Sequence, residues 1–82
     1  MSVRSIVVQG EVYLTLAAAA DCFAVEVAWV EEVHALGLLG PGERVGDAIA
    51  VPARQLDRLA EVLRLHRYHG VELATLVVLL HE

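Results

Sequence analysis

Apolar residues open the chain in short runs and then change period. Ile6-Val7-Val8 breaks at Gln9-Gly10 and resumes as Val12-Tyr13-Leu14, which suits a short strand, or a strand and turn, rather than a helix. Thr15 follows, and its hydroxyl can cap the unpaired amides of a short alanine-rich helix over residues 16–22. Residues 23–25 then form a turn. From 26 to 36, Trp29, Val30, Val33 and Leu36 recur on one helical stripe, with Glu31, Glu32 and His34 off it. Gly37 suits the left-handed residue beyond the last turn, and Leu38-Leu39 can fold back on the helix end. Gly40-Pro41-Gly42 forces the chain out of helix, and Val45, Ile49 and Val51 around Gly46-Asp47 predict a small hairpin.

Pro52 is placed to begin the next helix, where its missing amide hydrogen would have no partner, and Gly70 to end it. Leu56, Leu59, Ala60 and Leu63 form an i, i+3, i+4, i+7 set, with Val62 and Leu65 as a second strip. Residues 71–81 predict a final helix whose apolar side chains surround most of its circumference, so it must be covered on several sides. Leu73, Leu76, Val77 and Leu80 are the candidates for self-association. The expected fold is mostly α: a winged helix-turn-helix of about four helices with a short N-terminal strand and a small wing hairpin. It is one domain over 1–82, divided into a strand segment (1–14), the helix-turn-helix (15–39), the wing (40–52) and two C-terminal helices (53–82).

A chain of 82 residues is one small domain that buries only about 60% of its unfolded surface. It is 57% hydrophobic, above the ~45–50% of ordinary soluble domains, and Leu, Val and Ala carry the excess. A homo-oligomer or an obligate complex is the expectation that follows. Charge sharpens the choice of partner. The net charge is −5, every positive residue is Arg, and none lies between Arg4 and Arg44, where Glu11, Asp21, Glu26, Glu31, Glu32 and Glu43 stand. Nucleic acid and anionic membrane are disfavoured partners for such a surface. Cys22, the lone cysteine, allows neither an internal disulfide nor a multi-cysteine zinc site, which fits a cytoplasmic protein. The start lacks a signal-type apolar core, and the longest uncharged apolar runs, 12–20 and 73–80, are too short to span a bilayer.

The order Tyr13-Leu14-Thr15, short helix, second helix ending Leu36-Gly37-Leu38-Leu39, Gly-Pro wing and Leu56 to Leu63 resembles the DNA-binding domain of the MerR family over residues 12–80. Those regulators carry an Arg and aromatic residues before that glycine, where Glu31, Glu32 and Val33 stand here. A small acidic version with Leu63-Arg64-Leu65-His66-Arg67 and Leu73-Ala74-Thr75-Leu76 is similar to the chaperone-modulator family that includes CbpM and the DnaK-DnaJ assembly factor DafA. The resemblance implies a regulator that binds the J domain of a DnaJ-type or CbpA-type co-chaperone and alters how it meets DnaK. Inhibition and assembly are both compatible with it. J domains present a basic helix, so Glu26, Glu31 and Glu32 are the candidate contacts, with Trp29 as anchor and the wing as rim. Trp29 also shares its stripe with Val33 and Leu36, as a core residue would.

Rival chemistries are weaker. His66 and His69 lie one helical turn apart and could seed a metal site with Cys22, His34 or His81, but no third ligand is local. Ser2, Ser5, Thr15 and Thr75 sit in no motif beside a His and an acid, so neither catalytic residues nor a cofactor is expected. A MerR-like DNA-binding regulator is the alternative from the layout, with Arg54, Arg58, Arg64 and Arg67 as its phosphate contacts. A dimerising interaction module is the other.

Overall fold

The computed structural model describes residues 4–80. Ser2 and His81, the last residue of the expected final helix, lie outside the described residues. The elements are β1 (Ser5–Val8), β2 (Glu11–Thr15), α1 (Leu16–Phe23), α2 (Val27–Ala35), β3 (Glu43–Val45), β4 (Ala48–Pro52), α3 (Gln55–Leu63), continued by a π-helical turn over Arg64–Tyr68, and α4 (Leu73–Leu79).

This is an α+β fold, 51% helical and 22% strand, and it replaces the expected mostly-α, MerR-like winged helix-turn-helix. The helices arise near their expected places. What differs is the sheet. The N-terminal strand segment is a complete hairpin: Gln9 and Gly10 both take positive φ, as a two-residue type I′ turn requires. The wing is a second hairpin, turned at Gly46-Asp47 with glycine in the first, positive-φ position. Its strand β4 also pairs with β2, Leu14 opposite Val51, so the hairpins fuse into one antiparallel sheet of order β1-β2-β4-β3. Local periodicity identifies each strand but carries no information about pairing between distant strands.

Pro52 is corrected by the same pairing. It ends β4 opposite Tyr13 instead of starting a helix, and α3 begins three residues later. Ala53 donates to the Val12 carbonyl at 2.8 Å. Amides alternate in direction along a strand, so the Pro52 nitrogen points away from β2, past the end of β3, where no donor is needed.

Helix ends obey local chemistry. The Thr15 hydroxyl accepts from the Ala18 amide at 3.1 Å and caps α1. Gly37 (φ 84°) closes α2: its amide donates to His34 and that of Leu38 to Val33. This is the Schellman pattern. α1 ends the same way, Val25 donating to Ala20, but with Ala24 at φ 54°.

The core gathers Leu16, Ala19, Ala20, Val30, Val33, Leu38, Leu39, Val51, Leu59, Val62 and Leu76. On α3 the buried residues are Leu59 and Val62, with Ala60 exposed, so the inward stripe is rotated from the expected set. α4 turns Leu76 fully inward and packs Leu73, Val77 and Leu80 against the core. The four candidates for self-association are therefore the face that this segment uses internally, and its exposed large hydrophobics are Val78 and Leu79. Among the described residues no helix is long and apolar enough to cross a membrane.

Two backbone substitutions should have opposite signs. Ala24→Gly removes the left-handed penalty and should raise stability by about 0.5–1 kcal/mol. Gly42→Ala places a Cβ 2.6 Å from the Ala50 carbonyl oxygen at φ 73°, and should cost more than about 1 kcal/mol. Urea denaturation of both variants checks the pair.

Candidate functional site

α2 divides the surface on which the candidate residues lie. Successive helical residues are about 100° apart, so with Val30 and Val33 facing the core, Glu31 and Trp29 fall on opposite flanks. Glu32 lies on the exposed crest between them. Of the four residues expected to form one surface, Glu31 lines one groove, Glu26 and Trp29 line another, and Glu32 lines neither.

The acidic groove, about 300 Å³, lies between α1, α2 and the β3-β4 turn. Glu31 and Asp47 line it together with Val27, Ala17, Ile49 and Arg4. Arg4 is occupied: its guanidinium meets the Asp21 carboxylate at 2.7 Å. Arg54 pairs with Glu11 of β2. Among the described residues, Glu31 and Asp47 have no ion-pair partner. Val27 between them is exposed. Asp47 belongs to the wing expected at the rim of this surface but was not itself a candidate contact; the pairing of β4 with β2 places its turn beside α2.

The aromatic groove, about 320 Å³, is lined by Glu26, Trp29, Val25, Leu63, His66 and Arg67. Trp29 is half-buried against the core and stacks on the His66 ring, centroids 6.0 Å apart and planes 27° from parallel. His66 comes from the π-helical turn. Its Nδ1 donates to the Val71 carbonyl at 2.9 Å, tying that turn to the start of α4 across Gly70 (φ 68°). A carbonyl can only accept, so the proton sits on Nδ1. Trp29 thus packs against the core and also walls a groove. Sequence periodicity continues α3 as regular helix to Gly70 and does not mark the widened turn that carries His66 across to Trp29.

His34 is also structural, its Nε2 donating to the Pro41 carbonyl at 3.2 Å. Among the described residues no three His, Cys, Asp or Glu side chains gather as a metal-holding group. Of the arginines named as phosphate contacts, Arg54 pairs with Glu11 and Arg58 donates to the Leu80 carbonyl at 3.0 Å, capping α4. Cys22 is exposed.

Because Trp29 is the only tryptophan, its emission reports on the aromatic groove. His66→Ala should lower stability by about 1–2 kcal/mol through the lost stack and hydrogen bond. It should also move the emission to longer wavelength as water reaches the indole, which a fluorescence spectrum of the folded variant checks.

No protein-family model, no curated protein and no solved structure matches this chain.

Proposed function

We propose that the chain is a non-catalytic binding module that docks a basic helix of another protein through the acidic flank of α2 and the β3-β4 turn. The supporting observation is the juxtaposition of Glu31 and Asp47, two carboxylates without ion-pair partners among the described residues, across the exposed Val27. A lysine or arginine laid across this groove can rest its aliphatic stem on Val27 and Ile49 and bring its charged head to both carboxylates. Complementary charge of this kind steers encounter and sets register more than it adds raw affinity. The Arg4 guanidinium, engaged by Asp21, does not supply that cation.

The partner class comes from the resemblance to the chaperone-modulator family, carried by the acidic second helix and by the stretches at 63–67 and 73–76. The MerR-like layout no longer contributes to it. The partner is then the J domain of a DnaJ-type co-chaperone in the cytoplasm, with DnaK as the protein whose access is altered. Trp29 anchors nothing in the acidic groove, since it lies on the other flank of α2. Catalysis has no support in the site: the Thr15 hydroxyl is used in capping α1, and neither groove sets a hydroxyl or thiol nucleophile beside a base and an acid.

Calorimetric titration of the chain with a J domain should show binding that weakens as salt rises. Glu31→Arg combined with Asp47→Arg should weaken it at least tenfold, about 1.4 kcal/mol. Glu32→Arg, on the crest, should have the smaller effect. Unchanged affinity in the double variant would remove the proposed surface, and absence of binding to any J domain would remove the proposed partner.

A further inference from the structure

β1 and β3 are the two edges of the sheet, and they are built differently. β3 is three residues long and carries Glu43 and Arg44, charges that discourage pairing with another chain. β1, Ser5-Ile6-Val7-Val8, has no charge and no proline, and Val7 is 69% exposed. We infer that β1 is a dimerisation edge, pairing antiparallel with β1 of a second copy about a two-fold axis perpendicular to the sheet.

The free backbone groups follow from the hairpin ladder. Thr15 donates to the Arg4 carbonyl at 2.9 Å, so residues 4 and 15 form a hydrogen-bonded pair. Alternation along the antiparallel ladder then makes Ile6 with Tyr13 and Val8 with Glu11 hydrogen-bonded pairs, and Ser5 with Leu14 and Val7 with Val12 the intervening ones. Ser5 and Val7 therefore turn their amides and carbonyls outward, along an edge with no neighbouring strand among the described residues.

A two-fold axis normal to a sheet preserves its faces, so each residue must oppose one of the same pleat. Centring the pairing on Ile6 meets this condition. Ser5 then opposes Val7 of the second copy and Val7 opposes its Ser5, each pair exchanging two hydrogen bonds, which satisfies every outward group of both strands. Ile6 opposes Ile6 in the close, non-hydrogen-bonded pair between them. Centring on Val7 instead would set Ser5 against Gln9, whose positive φ belongs to the turn and cannot continue a strand.

Side chains agree with this register. On one face it builds a row Tyr13, Ile6, Ile6, Tyr13 across the joint, and on the other the exposed Val12 and Val7 lead to Ser5 and Leu14 of the second copy. No charged residue lies in the pairing strand, although each copy carries a net charge of −5. The same contact is made by both copies, so it closes at two, and the charged β3 edges are left outermost.

Sedimentation equilibrium of the full chain at micromolar concentration should give twice the chain mass. Val7→Lys, at an exposed position, should give the chain mass with an unchanged circular dichroism spectrum. Opposed Cα atoms in a non-hydrogen-bonded pair lie about 4.5 Å apart, within disulfide reach. On a Cys22→Ser background, Ile6→Cys should therefore cross-link into a covalent dimer under mild oxidation, whereas Val8→Cys should not. A wild-type monomer, or Ile6→Cys that cross-links no faster than Val8→Cys, would overturn the inference. So would a dimer that survives Val7→Lys, including one that dissociates in Leu79→Lys and thereby places the contact on α4.

Discussion

The pairing of β2 with β4 is the contact on which the rest of the molecule depends. It joins residues 13–15 to residues 50–52 and turns two hairpins into one sheet. Thr15 shows how tightly it is integrated: it ends β2, opposes Ala50 and caps α1, all from one buried position. Forming such a pair requires closing the whole segment that carries α1, α2 and β3 between the strands, an entropic cost recovered only when α1 and α2 pack. Packing is close because α1 buries Ala18, Ala19 and Ala20, whose small side chains let the helix approach its neighbours. Sheet and helix pair therefore stabilise one another.

The same pairing creates the acidic groove. Asp47 sits at the tip of the β3-β4 hairpin, and its approach to Glu31 follows from β4 lying beside β2 rather than standing free as a wing. On the other flank of α2, the π-helical turn sets His66 against Trp29, and the hydrogen bond to Val71 holds the ring there. One helix thus carries an acidic flank and an aromatic flank. Their separation is a consequence of helical pitch, since residues 29 and 31 differ by about 200° around the axis.

A domain this small and this apolar cannot hide all of its hydrophobic surface. Its exposed large hydrophobics include the cross-strand neighbours Val7 and Val12, and Val78 and Leu79 on α4. The sheet edge differs from the helix surface in one respect: it also has outward backbone donors and acceptors, which give an approaching strand direction and register as well as apolar contact.

Much of the local structure was legible in the sequence because its causes are local. The turn at Gln9-Gly10, the Thr15 cap, the Gly37 end of α2 and the Gly46-Asp47 turn each depend on the φ or hydrogen-bonding capacity of one or two residues. Helix stripes were legible only approximately: Val30 and Val33 are buried as periodicity requires, but on α3 Leu59 and Val62 are buried while Ala60 is exposed. Fold class, the place of Pro52, the meeting of Asp47 with Glu31 in one groove, and the inward use of Leu73, Leu76, Val77 and Leu80 were decided by tertiary structure. Periodicity says that a residue has an apolar face to bury. Which element buries it, and which polar residues then become neighbours, depends on contacts between segments far apart in the chain.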